Sequence, residues 1–201
     1  MTLNNKKEIL RFLKKIVKKR RNIHRFLNKF NFKRVCEVGV REGHNLKRLA
    51  RATPEVLVGI DIWDLDKNRK GYFKKSSYWE KNLRKWASKQ KFTVKLIKDY
   101  SLNAVHLFED DYFDFVYIDG DHTYKSASQD IKEWWQKVRK GGILAGHDYS
   151  YLKKKKDLKA KKNKLEVKRA VQEFISKNNL NRGNLYVTKE DLTTTFLILK
   201  L

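Results

Sequence analysis

Five short apolar runs, each followed by a stretch with helical spacing, constrain this chain more than any other feature. The runs are Arg34–Val40, Glu55–Ile62, Phe92–Ile97, Phe113–Ile118 and Gly142–Gly146. Glu55–Ile62 (EVLVGIDI) is apolar almost without alternation, as expected for a strand covered on both faces. The helical stretches are Gly43–Arg51, Ser76–Gln90, Ser101–Phe108, Thr123–Val138 and Leu165–Ser176. Trp79, Leu83 and Trp86 share one side of the second, and Ile131, Trp134, Trp135 and Val138 form the stripe of the fourth. Ser101 is the expected N-cap of the third. Strands alternating with helices predict an α/β chain with a mostly parallel sheet. Leu185–Thr188 and Thr194–Leu199 close the chain with no helix between them, so that pair is expected to be antiparallel. Ahead of the first strand, apolar residues from Ile9 to Phe30 recur at helical spacing and predict one or two amphipathic helices within 5–31. Residues 64–75 read as a charged loop and 150–163 as a Lys-rich one. A length of 201 residues suits one domain, 1–201, with a basic helical segment (1–32) and a sheet core (33–201).

Charge narrows the function classes. The net charge is +25, and the basic residues come in blocks. Residues 6–34 carry thirteen Lys or Arg against Glu8, and residues 67–91 carry ten against Glu80. Residues 153–169 carry ten against Asp157 and Glu166, whereas 99–130 holds eight acids against Lys125. A basic shell around an acidic centre suits an anionic partner outside and a cationic ligand within. Lys outnumbers Arg by 35 to 13; bidentate base contacts use Arg, and a Lys excess is also what AT-rich coding gives, so the basic shell has both a functional and a bland reading. One cysteine, Cys36, excludes an intrachain disulfide and a Cys-type zinc site. No apolar run approaches the ~20 residues of a membrane span. The expectation is a soluble, cytoplasmic protein.

In a sheet of this kind ligands bind beyond the carboxyl ends of the strands, near the point where strand order reverses. The first strand ends in Glu37-Val38-Gly39-Val40-Arg41-Glu42-Gly43-His44-Asn45. This is not the Gly-x-Gly-x-x-Gly of dinucleotide sites, and Glu37 would meet a cationic amino group better than a pyrophosphate. Asp61, with Ile62 after it, ends the second strand, where an acid accepts hydrogen bonds from ribose hydroxyls. Asp99-Tyr100-Ser101 follows the third. There an acid could accept from an adenine amine, or could simply cap the next helix. Asp119, Asp121 and His122 follow the fourth strand, and His147 and Asp148 the fifth. Neighbouring strand ends converge, so these five groups could bind a divalent cation or supply a general base.

The segments Glu37-Val-Gly39-x-x-x-Gly43, Gly59-Ile-Asp61, Asp99-x-Ser101, Tyr117-Ile-Asp119-Gly-Asp121-His122-x-Tyr124 and Gly141-Gly-Ile-Leu-Ala-Gly146-His147-Asp148-Tyr149 stand in that order. Together they resemble the class I S-adenosylmethionine-dependent methyltransferases, most closely the branch holding macrocin-type and other sugar or small-molecule O-methyltransferases. The resemblance implies a Rossmann-like three-layer sandwich. Its seven-stranded, mostly parallel sheet has helices on both faces and an antiparallel last strand inserted between its neighbours. It implies Glu37 on the methionine amino group, Gly39, Gly43 and Asn45 in the cofactor loop, and Asp61 and Ile62 at the ribose. Asp99, Tyr100 and Ser101 would lie near the adenine, with Asp119, Asp121 and His122 also against the cofactor. Metal-dependent relatives place ligands at positions matching Asp119, His147 and Asp148, for Mg²⁺ or Mn²⁺. His147 departs from the Asp or Asn more common there, and Mg²⁺ prefers oxygen ligands. Asp119, His122 and His147 are the candidate catalytic bases.

The expected activity is methyl transfer to a hydroxyl of a sugar, glycan or glycoside, with a small-molecule or glycan acceptor. The alternative is an RNA or DNA methyltransferase that uses the basic surface on phosphates. The sequence holds no Asp/Asn-Pro-Pro-Tyr segment of amino methylation, since Pro54 is its one proline. Cys36 sits inside a strand, which disfavours cysteine-based pyrimidine methylation. A binding module without chemistry is the third reading, against which Asp119, His147 and Asp148 speak. Trp63, Tyr72, Phe73, Tyr78, Trp79 and Tyr151 could stack on an acceptor ring or belong to the core.

Overall fold

The computed structural model describes residues 3–65, 70–150, 166–189 and 193–201. In chain order the elements are α1 (Leu3–Ile16), α2 (Ile23–Lys29), β1 (Arg34–Val38), α3 (His44–Leu49), β2 (Val56–Asp61), α4 (Lys70–Ala87), β3 (Thr93–Lys98) and α5 (Ser101–Ala104). There follow β4 (Phe113–Ile118), α6 (Tyr124–Lys137), β5 (Val138–Gly146), α7 (Val167–Lys177), β6 (Leu185–Val187) and β7 (Phe196–Leu199).

All seven strands join one sheet in the order β3-β2-β1-β4-β5-β7-β6. The pairs among β1 to β5 are parallel, and β7 lies antiparallel between β5 and β6. The parallel core is what the alternation predicts, and the Rossmann-like seven-stranded order with its inserted antiparallel strand is what the resemblance implies. Side chains alternate across each strand. Val35, Leu57, Phe115, Tyr117, Ile143 and Leu197 face one layer, built by residues of α1 to α4 such as Leu13, Phe26, Leu46 and Leu83. Cys36, Val58, Val116, Leu144 and Ile198 face the other, built by Ala104, Ile131, Trp134, Val171 and Phe174 of α5 to α7. Phe113 to Ile118 is buried throughout, as a central strand requires. Among the described residues, no helix is long and apolar enough to cross a membrane.

Several boundaries move. The helix read from Ser76 begins at Lys70, so the charged loop is shorter than 64–75. No proline interrupts 70–75, and Lys is a good helix former, so the helix extends beyond its apolar stripe. The helix read to Val138 ends at Lys137, where Val138 turns extended (φ −82°, ψ 128°) and starts β5. β5 therefore begins earlier than Gly142, and its pairing with β4 shifts register between Phe113 and Phe115. Ser101 is not the N-cap of α5. Tyr100 holds that position, and the Ser101 hydroxyl turns inward. The Lys-rich loop lies outside the described residues apart from Ser150.

Order reverses between β1 and β4. Their carboxyl ends, with those of β2, β3 and β5, stay tied beyond the strands by backbone bonds. Asp119 N–H donates to Val38 O (2.7 Å), Gly39 N–H to Ile60 O (2.8 Å) and His147 N–H to Ile118 O (3.0 Å). The loops that carry the candidate chemistry are thus fixed by sheet hydrogen bonding.

Candidate active site

A cleft of about 1190 Å³ opens over these strand ends. It is lined by Glu37, Gly39, Asn45, Asp61, Ile62, Asp99, Tyr100, Ser101, Asp119, Asp121, His122, His147 and Asp148, which the sequence singles out. Gly43 does not line it. That glycine starts α3 at φ +81°, and a Cβ there would lie 2.4 Å from Leu83 Cδ1. The cleft also brings in Arg20, Arg41, Arg48, Gln129 and Asp130.

Glu37 sits at the floor with 1% exposure. Asn45 Nδ2 donates to its Oε1 (2.9 Å). Oε2, like Oδ1 of Asn45, is buried without a partner. Burial pushes the carboxyl well above the usual range, and the Asn45 bond only partly opposes this. Two orphan acceptors side by side are costly unless a donor arrives. A cationic amino group is the donor that suits both.

Asp61 accepts from two backbone N–H groups. Arg41 N–H donates to Oδ2 and Trp63 N–H to Oδ1, each at 2.7 Å. These bonds fix its carboxylate at the cleft wall, and Arg41 takes a positive φ (+52°) to reach it. Trp63 is fully buried and donates its indole N–H to Arg41 O (3.1 Å), so it belongs to the core. Tyr78 is 68% exposed, and Trp79 lies under the Arg41 guanidinium, 5.4 Å from centroid to Cζ. The side chains of Tyr72, Phe73 and Tyr151 lie outside the described residues.

Asp99 Oδ1 accepts from Tyr100 N–H (2.7 Å) and Asn103 Nδ2 (2.9 Å); it does not cap α5, whose N-cap Tyr100 has no side-chain cap bond. Ser101 instead donates to Asp130 Oδ1 (2.6 Å) and accepts from the Trp134 indole (2.9 Å). Burial raises the Asp130 carboxyl to about 6. Asp121 accepts from Thr123 N–H and Ser126 Oγ, which secures the start of α6.

Asp119, His122, His147 and Asp148 meet at the ends of β4 and β5. His147 Nδ1 lies 3.3 Å from Asp148 Oδ1 and 3.8 Å from Asp119 Oδ1, and its Nε2 lies 3.0 Å from Thr193 Oγ1. His122 Nε2 lies 3.1 Å from Asp148 Oδ2. Burial raises the Asp119 carboxyl, against the pull of His147 and Arg20. Asp148 goes the other way. Burial would raise it, but the hydrogen bond and charge of His147, with His122 beyond, hold it below the usual range. One donor atom from each of Asp119, His122 and Asp148 falls within 4.8 Å of the others, a set that suits a divalent ion. His147, expected as a ligand, lies beside that set, with Nδ1 3.3 Å from Asp148 Oδ1 and Nε2 3.0 Å from Thr193 Oγ1, while His122 lies within it.

Arg20 is the residue that sequence reading passes over. It lies in a basic run with no motif, yet its Nη1 stands 3.3 Å from Asp119 Oδ2. Asp130 was equally unmarked, because an acid inside a helix reads as solvent-facing.

Residues 36–149 match a protein family described as the methyltransferase domain. No curated protein matches the chain. Among solved structures, an O-methyltransferase from Bacillus cereus in complex with SAH is 13% identical, with TM-score 0.57, over 100% of this chain and 92% of that one. A candidate caffeoyl-CoA O-methyltransferase from Staphylococcus aureus is 14% identical, with TM-score 0.56, over 88% and 80%. A spermidine synthase from Thermotoga maritima is 14% identical, with TM-score 0.54, over 85% of this chain and 55% of that one. At these identities the likeness is one of fold.

Proposed function

The chain belongs to the methyltransferase-domain family and is an S-adenosylmethionine-dependent methyltransferase; we propose that its acceptor is a hydroxyl of a sugar, glycan or glycoside. The observation that carries this reading is the pairing of two features in one cleft. The orphaned Glu37–Asn45 floor fits a cationic amino acid end, and an Asp–His cluster stands across from it. Glu37 would hold the amino group, Asp61 the ribose, and the Asp99–Ser101 turn with Asp130 the adenine side. Residues 1–32 belong to the same catalytic domain.

The transfer forms a carbon–oxygen bond as the carbon–sulfur bond breaks, and leaves S-adenosylhomocysteine and a methyl ether. The sulfonium is already reactive, so the protein aligns the groups and takes the proton. A sugar hydroxyl is a poor nucleophile at neutral pH and needs a base. Asp119 is the proposed acceptor of its proton, since burial strengthens its hold on a proton. His147 beside it would share the charge, and His122 is the second imidazole in reach.

A divalent ion at Asp119, His122 and Asp148 is the second reading, favoured by their convergence. Such an ion would lower the pKa of a hydroxyl near it. Under that reading chelation with EDTA abolishes turnover and Mg²⁺ or Mn²⁺ restores it. Full turnover after chelation leaves the base mechanism alone.

The test of the main proposal is a thermal shift with S-adenosylmethionine and S-adenosylhomocysteine, then a methyl-transfer screen on hexose and deoxysugar glycosides, RNA and DNA. Transfer to a glycoside is the expected result. Efficient transfer to RNA or DNA with none to the glycosides would replace it by the nucleic-acid reading.

A further inference from the structure

We propose that Arg20 receives the α-carboxylate of the cofactor's methionine half, which makes the N-terminal helical segment part of cofactor recognition. The inference rests on the cofactor reading above. The methionine end carries an ammonium and a carboxylate on one carbon, so their partners must be close together and opposite in charge. Glu37 and Asn45 supply two buried acceptors without donors, which answers the ammonium. They offer nothing to the carboxylate, and Asp119 nearby would repel it. Of the arginines that line the cleft (Arg20, Arg41 and Arg48), Arg20 is the one whose guanidinium lies against Asp119, at 3.3 Å. Burial works against its charge, yet Tyr117 and Asp119, with Glu37 further off, favour it.

The placement of Arg20 is built into the fold. Val17, just before it, is fully buried, and its carbonyl accepts from the Tyr186 hydroxyl (2.9 Å). Lys189 N–H donates to Lys18 O (3.2 Å). These two contacts pin the turn between α1 and α2 to the end of β6, so that Arg20 points over the sheet towards Asp119. A guanidinium has five N–H donors, and its interactions with Asp119 and Tyr117 leave others for a carboxylate. Arg41 also lines the cleft, but its guanidinium lies over the Trp79 ring.

The experiment is calorimetry with two ligands, S-adenosylhomocysteine and its decarboxylated analogue, on the wild type and Arg20→Ala. The analogue keeps the ammonium and lacks only the carboxylate. The wild type should prefer the carboxylate-bearing ligand by roughly tenfold or more, as a charge-assisted pair gives. Arg20→Ala should erase most of that preference by weakening S-adenosylhomocysteine alone. Arg20→Lys, which keeps the charge without the fork, should retain part of it, and decides the matter if the alanine variant fails to fold. Equal losses for both ligands would overturn the role of Arg20 and leave the cofactor reading standing. Failure of the wild type to bind either ligand would overturn the cofactor reading itself, and the role of Arg20 with it.

Discussion

A Cβ placed on Gly39 would lie 2.2 Å from the carbonyl oxygen of Asp119. The glycine that follows β1 thus passes directly against the backbone that leads out of β4, with φ +88°. Its smallness serves the chain's own crossing, and through that crossing the spacing between Glu37 and Asp119.

Gly39→Ala must therefore move backbone at the switch point and hold a conformation that costs a non-glycine residue of order 1 kcal/mol or more. We expect a lower melting temperature and at least tenfold weaker binding of S-adenosylhomocysteine. Wild-type stability and affinity in this variant would show that β1 and β4 can part there without consequence.

Glu37→Gln keeps the shape and the Asn45 contact but removes the charge. Cofactor affinity should fall about tenfold or more while the fold stays intact. The pH dependence has a sign. Only the ionised carboxylate pairs with an ammonium, and burial raises the pH at which it ionises. Wild-type affinity should therefore drop as pH falls through that raised range, whereas Glu37→Gln stays weak and flat. Calorimetry across pH reads both.

Asp130 carries a stability cost. Its carboxyl ionises at about 6 in the fold, against roughly 4 in an unfolded chain. The folded form holds its proton more tightly, so this group's contribution falls as pH rises between those values. Asp130→Asn keeps an acceptor for Ser101 and removes the loss. We expect it to be more stable than wild type by ~1–3 kcal/mol at about pH 7.5 and nearly equal at about pH 4. Thermal or urea unfolding at the two pH values checks this.

Asp119→Asn should cut turnover by ~10²–10⁴-fold, the usual worth of a positioned base. Its affinity for S-adenosylhomocysteine should stay within a few-fold of wild type, because Glu37 and Asn45 are untouched. A large loss of affinity with little loss of turnover would move Asp119 from the chemistry to the binding of cofactor.

The sheet was legible because its central strands are buried on both faces, and runs such as FDFVYI have no other use in a chain of this size. Glu37, Asp61 and the residues after β4 and β5 were legible because strand ends converge in any sheet of this kind. Boundaries were less so. Lys70 to Lys75 carry no apolar signal, and the start of β5 hides in the end of α6, where Val138 serves the helical stripe and the strand equally. Ser101 looked like a cap, yet its hydroxyl found Asp130 from another element, a contact that no local pattern encodes. Arg20 was invisible for the same reason: its partners lie 97 and 99 positions away, at Tyr117 and Asp119.

The bond from Tyr186 to the Val17 carbonyl joins positions 169 apart. Leu13 and Phe26 seat α1 and α2 on the core, and Arg20 meets Asp119, but the turn that carries Arg20 gains its tie to Tyr186 only when β6 is in place. A folding intermediate with β1 to β4 paired could already bring Arg20 to Asp119, but its turn would lack the bonds to Tyr186 and Lys189. Closing so long a loop late is slow, since its entropy is lost before the contact repays it. If Arg20 grips the cofactor as proposed, that grip is completed only when β6 docks, and an intermediate without β6 would show a nearly finished sheet that holds the cofactor loosely.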